Sequence, residues 1–278
     1  MSKALVLLAM TLAVACGSNS GANDANGVIT GDGGGVVIIG DGGSWTCYPV
    51  LCAGKSLECN DCIDNDLDGE SDSRDPECLG PCDNTEGPGL ESGVGGTTGT
   101  SCGVDCYFDF GNGPGNDNCL WDHRCDPLEP EVPHCAYEAS RVGTKDCPAT
   151  QEQTCADVCM PFTPNGCDCF GCCTLQNAGP GGVGARDVWI GAMDDSNNST
   201  CTLADRADAT KCPSCTKVDN CSNPCDTCEV CFGSPPPGPD CMGGMQCADG
   251  YQPCDQPGQA ECPMGSYCVT GCCQAVIL

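Results

Sequence analysis

Between Cys59 and Cys78 the chain reads CNDCIDNDLDGESDSRDPEC. Asp64, Asp66 and Asp68 alternate, Gly69 follows, and Asp72 and Asp75 complete the series. Counted from Asp64, carboxylates fall at the first, third, fifth, ninth and twelfth places, with glycine at the sixth. That is the ligand spacing of a calcium loop. Calcium takes about six to eight oxygens, so the chain must fold back on itself to supply them. Glycine permits the sharp turn this needs. Glu70, at the seventh place, offers its backbone carbonyl. The expected ligands are Asp64, Asp66, Asp68, Glu70, Asp72 and Asp75, and the expected cofactor is calcium. Without a cation these carboxylates repel one another.

Something must hold such a loop together, and the composition says what. The chain of 278 residues contains 33 cysteines, and aromatic residues make up only 5% of it. A large aliphatic core is not available. In an oxidising compartment this many cysteines form a disulfide scaffold, and each bridge contributes about 2–4 kcal/mol. The formal net charge of -29 disfavours nucleic acid and anionic membrane surfaces as partners, because both need basic patches. Divalent cations are the natural counter-charge.

Residues 1–16 read MSKALVLLAMTLAVAC. Lys3 precedes an apolar run from Ala4 to Ala15, too short for a stable transmembrane helix and suited to a signal peptide. The end of the run, Leu12-Ala13-Val14-Ala15-Cys16, resembles a bacterial lipobox, with Ala13 where leucine is more usual. The resemblance implies that Cys16 is lipidated and becomes the mature N-terminus. Gly17 after it would not favour retention in the inner membrane. Setting Cys16 aside leaves an even number of cysteines, which allows complete pairing. Plain cleavage and secretion is the alternative.

Residues 17–45 are rich in Gly, Ser, Asn and Asp and read as a flexible tether. A β-edge over Val36 to Ile39 is the rival reading there. Residues 46–83 hold the Asp-rich loop and six cysteines. The loop is EF-hand-like in its spacing, but no amphipathic helix fits on either side of it, as an EF-hand has. The segment resembles a thrombospondin type 3 repeat, in which DxDxDGxxDxxD is braced by disulfides, although one copy stands here instead of a tandem. Residues 84–100 read as a linker, 101–232 as a cysteine-rich domain and 233–278 as a C-terminal cysteine-rich module.

Several stretches invite other chemistry. Asp105, Asp109, Asn112, Asn116, Asp117 and Asp122 are candidates for a second oxygen-rich site, but their spacing matches no calcium loop. Trp121-Asp122-His123 suggests an acid–base pair, against which stands a plain packing histidine. CDCFGCC, from Cys167 to Cys173, and the CxxC steps between Cys212 and Cys231 suggest thiolate metal sites. Tyr107–Phe110 and Val188 to Ile190 read as strands. A helix is expected after Thr150, with Gln153 completing a capping box, Cys155 and Cys159 on one face, and Pro161 near its end. A second short helix is expected over residues 202–211, with Thr202 and Asp205 as its cap pair.

The fold class expected is a set of small disulfide-rich, loop-dominated modules with short β-strands and one or two short helices, behind a flexible N-terminal tether. Taken whole, the chain resembles the cysteine-rich surface lipoproteins of myxobacterial type that carry an Asp-rich calcium loop. The resemblance implies a surface location and calcium, and no particular reaction. The expected function is that of an exported, disulfide-stapled, calcium-binding cell-surface lipoprotein with a structural or interaction role. It would touch the membrane through its N-terminal lipid only, and no residue pattern names a protein or polysaccharide partner. The alternatives are an extracellular thiolate-type binder of zinc or copper, and a secreted enzyme. An enzyme is not expected: HExxH and Walker sequences are absent, and only two histidines are present.

Overall fold

Cross-links, more than strands or helices, set this architecture. The computed structural model describes residues 29–30, 36–40, 43–52, 54–91, 102–109, 117–128, 135–196, 198–234, 250–254 and 259–276, together with 237, 241 and 247. Every cysteine after Cys16 is bridged, in sixteen disulfides. The protein is a small disulfide-rich, loop-dominated fold, with strands of at most five residues and a single α-helix of seven among the described residues. Such a density of bridges marks an exported protein. No described helix is long and apolar enough to cross a membrane.

Strands β1 (Ile29–Thr30), β2 (Val36–Gly40) and β3 (Gly43–Cys47) pair antiparallel in that order. The apolar run at Val36 to Ile39, expected within a tether, is therefore a strand, with Val36 opposite Cys47. Cys47 anchors the hairpin to the Asp-rich module through Cys62. That module carries three bridges, Cys47–Cys62, Cys52–Cys82 and Cys59–Cys78. Of the expected linker, residues up to 91 are described, and they pack on the next unit. Leu90 is fully buried, and its N–H donates to the Cys201 carbonyl at 3.0 Å.

The main core is built largely from cystine sulfur, with Tyr107, Phe170, Leu175, Val188, Trp189 and Ile190 filling the space between bridges. Strand β4 (Gly103–Val104) pairs with β5 (Trp121–Asp122). The strand expected at Tyr107–Phe110 is a turn as far as Asp109, and Phe110 lies outside the described residues. Alternation fails there because Tyr107 and Phe108 both enter the core, their rings meeting edge to face at 5.2 Å. Helix α1 (Gln153–Cys159) forms as expected, with Cys155 and Cys159 buried. Its N-cap is Glu152 without a side-chain cap, so the Thr150 box does not form; Gln153 instead bonds Asp157 at 2.8 Å. A 3₁₀ turn at Met160–Phe162 follows.

Strands β6 (Cys172–Leu175) and β7 (Arg186–Trp189) form the next hairpin. Residues 202–211 are turns, not the expected helix. The Cys201–Cys212 bridge explains this: its Cα atoms lie 4.5 Å apart, whereas a helix of that length would separate them by roughly 16 Å. The cap survives as a local bond, Asp205 N–H to Thr202 Oγ1 at 3.0 Å. Strands β8 (Ser266–Val269) and β9 (Cys272–Ala275) close the C-terminal module. Cys228–Cys241 ties residues on either side of the boundary expected at 232/233.

Candidate metal centre

The Asp-rich loop is a chain of side-chain-to-backbone turns. Asp64 accepts from Leu67 N at 2.7 Å with one oxygen and from Gly69 N at 3.1 Å with the other. Asp66 accepts from Asp68 N at 3.1 Å, and Asp68 from Glu70 N at 2.9 Å. Asp, with its short acceptor, competes well for such local bonds. Gly69, at φ +105°, supplies the backbone conformation that turns the chain over. The result is an exposed spiral that gathers Asp64, Asp66 and Asp68. Asp66 has its pKa raised by partial burial and by the charges of Asp68 and Asp64. Burial and Asp68 do the same to Glu70.

Asp75 lies beneath the spiral. It is 2% exposed; one oxygen accepts from Glu77 N at 2.7 Å, and the other is buried without a hydrogen-bond donor. Burial, then the Glu77 carboxyl and the Asp68 charge, push its pKa up to about 8. Glu77 is raised too, by burial and by the charges of Asp68 and Asp66. Asp64, Asp66, Asp68, Asp75 and Glu77 therefore form one mutually repelling group. The sequence expectation did not include Glu77. Its only signal is an acidic residue two places beyond the loop's twelfth position.

Asp72 is placed differently from its expected role. Its backbone takes φ +49°, and its carboxylate turns inward to accept from Cys62 N at 3.2 Å, against the Cys47 sulfur. Burial raises its pKa to about 8. It fastens the loop to the Cys47–Cys62 bridge, and the carboxylates whose charge it feels are Glu86 and Asp61. Glu86 is a further residue that spacing did not reveal. Fully buried, it accepts from Asn65 N and from Asp72 N, each at 2.6 Å. It clamps the second and ninth places of the loop from 14 residues beyond Asp72. No local pattern announces such a partner.

Asp105, Asp109, Asp117 and Asp122 are all buried. Asp122 belongs to an ion-pair group: Arg124 Nε reaches it at 2.8 Å, and Arg141 Nη1 lies at 3.6 Å. Burial opposes its ionisation, but the bonds and charge of Arg124, with Arg141, bring its pKa below the usual range. Asn112 and Asn116 lie outside the described residues. His123 is 3% exposed and packs edge to face on Trp189 at 4.5 Å. Burial lowers its pKa to about 4. It is a packing histidine, and its neighbour Asp122 is engaged by arginine.

The cysteine clusters are cystines. CDCFGCC is consumed by Cys167–Cys173, Cys169–Cys221 and Cys172–Cys215. The CxxC steps resolve into bridges to Cys201, Cys172, Cys169, Cys231 and Cys241. No described cysteine keeps the thiolate that zinc or copper would need.

Comparison with protein-family models, curated proteins and solved structures finds no match to this chain.

Proposed function

We propose that the protein is an exported calcium-binding lipoprotein of the cell surface, with a structural or interaction role. Calcium is held by Asp64, Asp66, Asp68, the Glu70 carbonyl and Asp75, with Glu77 beside them. Asp72, placed on the ninth position by spacing, serves instead to brace the loop. The observation that carries this reading is the buried Asp75 oxygen. A carboxylate oxygen removed from water without a donor is costly. The charges around Asp75 are those of further carboxylates, Glu77, Asp68 and Glu86, and a bound cation satisfies the oxygen and removes the repulsion together. All these groups are hard oxygen donors, which suit calcium. Magnesium fits worse, because it demands a small octahedral shell and gives up water reluctantly.

The bridges Cys47–Cys62 and Cys59–Cys78 limit how far the loop opens, so the ligands are gathered before the ion arrives. An affinity of order 10⁻⁴–10⁻³ M or tighter is expected, as in extracellular modules. Calorimetric titration of the mature chain and of an Asp66→Ala/Asp68→Ala variant tests the reading. The variant should lose one class of binding site. A variant that titrates as the parent does would leave this loop as an acidic surface turn. Attachment at Cys16 is tested separately, by mass spectrometry of the membrane-associated protein. A diacylated N-terminal cysteine is expected; an intact Met1 or an unlipidated soluble terminus would refute the lipid anchor.

A further inference from the structure

We infer that Asp109 and Asp117 form a second calcium site, independent of the loop at residues 64–75. Helix α1 creates it. Cys155 and Cys159 stand one turn apart and bridge to Cys119 and Cys106 respectively. Those two cysteines are thereby drawn together. Asp109 follows Cys106 by three places and Asp117 precedes Cys119 by two, so the two carboxylates are carried to the same place. Carboxylate oxygens of Asp109 and Asp117 lie within 4.8 Å of each other and of the Cys106 sulfur. The sulfur is bridged to Cys159, so the charge of the site is carboxylate.

Asp117 is fully buried. One of its oxygens accepts from Cys119 N at 2.8 Å, and the other, also buried, has no hydrogen-bond partner. Two other buried carboxylates of this core, Asp168 and Asp126, meet backbone N–H groups on both oxygens. Asp168 takes three, from Phe170, Cys172 and Val218, across both oxygens. Asp126 takes Leu128 N on one oxygen and Thr216 N on the other. Asp117 departs from that pattern in the same way as Asp75. No described ion pair reaches it, and the carboxylate of Asp109 lies within 4.8 Å of its own. Two buried carboxylates at this distance repel each other in a medium of low dielectric. A divalent cation between them reverses the sign of the interaction. All-oxygen donors in an exported protein favour calcium, with water filling the remaining positions.

The test is a calcium stoichiometry on the mature full-length chain, by titration calorimetry with terbium luminescence as a second readout. The parent should bind two ions. Asp66→Ala/Asp68→Ala should bind one, with the second site's residues untouched. Asp117→Asn, whose amide oxygen still accepts from Cys119 N, should also bind one, and combining the two sets should abolish binding. If Asp117→Asn fails to form the Cys119–Cys155 bridge, Asp109→Asn and the Asp66→Ala/Asp68→Ala protein decide. The inference is overturned if the Asp66→Ala/Asp68→Ala protein binds no calcium, or if Asp109→Asn and Asp117→Asn both keep the parent stoichiometry. One ion bound by the parent, lost with Asp117→Asn and kept by Asp66→Ala/Asp68→Ala, would uphold this site while refuting the loop.

Discussion

The Asp-rich module and the core that follows it use the same parts to opposite ends. Both are held by cystines, and both bury carboxylates. In the core Asp168 meets three backbone N–H groups, and the sheet of β6 and β7 closes around it. In the module, Asp83 and Glu86 play that internal role. Asp83 accepts from Leu79 N and Thr85 N, and Glu86 from Asn65 N and Asp72 N. But the module also raises a second set, Asp64, Asp66, Asp68 and Asp75, whose charges face one another. A carboxylate with enough donors is a structural pin. The same residue type thus pins the fold at Asp168, Asp83 and Glu86, and leaves buried oxygens without donors at Asp75 and Asp117, where the two calcium sites are proposed.

The largest effect that separates the regions comes from the bridges. Cys169–Cys221 spans 52 residues, and Cys59–Cys78 spans 19. Replacing Cys169 and Cys221 with alanine should cost the core about 4 kcal/mol by loop-closure entropy. Calcium titration at the Asp-rich loop should not change. Replacing Cys59 and Cys78 should cost about 3 kcal/mol and weaken calcium binding as well, because the gathered ligands are released. Urea unfolding and calorimetry read both quantities. Equal loss of calcium affinity in the two variants would erase the distinction between the regions.

Next in size is the calcium-dependent protection of the module. At calcium about a hundredfold above its dissociation constant, binding adds about 2.7 kcal/mol. Arg74 is exposed inside the module, and Lys145 is exposed in the core. Trypsin should cut at Arg74 about a hundredfold faster in Asp66→Ala/Asp68→Ala than in the parent at saturating calcium, if the open form is what is cleaved. Cleavage at Lys145 should match in the two proteins. Parallel acceleration at both sites would mean that the loop supports the whole molecule.

Proton binding also separates the two regions. Burial lifts Asp72 and Asp83 to about 8 and Glu86 to about 7. The folded, calcium-free module therefore holds protons that the unfolded chain sheds near pH 4. Its stability falls as pH rises from roughly 4 to 8, and Asp83→Asn should flatten part of that slope. His123 acts in the other direction. Burial holds it neutral down to about pH 4, whereas the unfolded chain takes up its proton from roughly 6.5 downward. Its contribution is complete above pH 6.5 and is lost as pH falls toward 4. His123→Phe should remove that loss. Region-resolved hydrogen exchange in the Asp66→Ala/Asp68→Ala background would show both signs. An His123 resonance titrating near 6.5 would refute its buried neutral state.

What the sequence disclosed follows from the range of the forces involved. The alternating aspartates and Gly69 were legible because their bonds run between residues two to five apart. Helix α1 was legible from its spacing and from Pro161. The pairing of cysteines was not, since an even count allows complete pairing but fixes no partner. That ignorance propagated. The expected helix at 202–211 gave way to the Cys201–Cys212 bridge, and the expected strand at Tyr107 gave way to the Cys106–Cys159 anchor. Within the site, the inward turn of Asp72 was not legible because it depends on Cys62, held by Cys47. Glu86 was missed because its partners are 21 and 14 residues away.

Two glycines give the finest test of the comparison. Gly69 takes φ +105°, and a Cβ there would meet nothing within 4 Å. Gly69→Ala therefore incurs only the backbone cost of a left-handed conformation, about 1 kcal/mol. Because that conformation is needed to assemble the ligands, the cost should appear as an affinity for calcium about fivefold weaker. Gly171 takes φ +83°, but a Cβ there would lie 3.0 Å from the Tyr107 ring. In the core the same substitution adds an overlap to the strain, for a loss of about 2 kcal/mol in stability and no change at the loop. Gly69→Ala should thus be read out by calcium titration and Gly171→Ala by denaturant. If Gly69→Ala destabilises the molecule equally with and without calcium, the loop is preformed by its bridges alone. The ion would then contribute charge neutralisation but no ordering of the backbone.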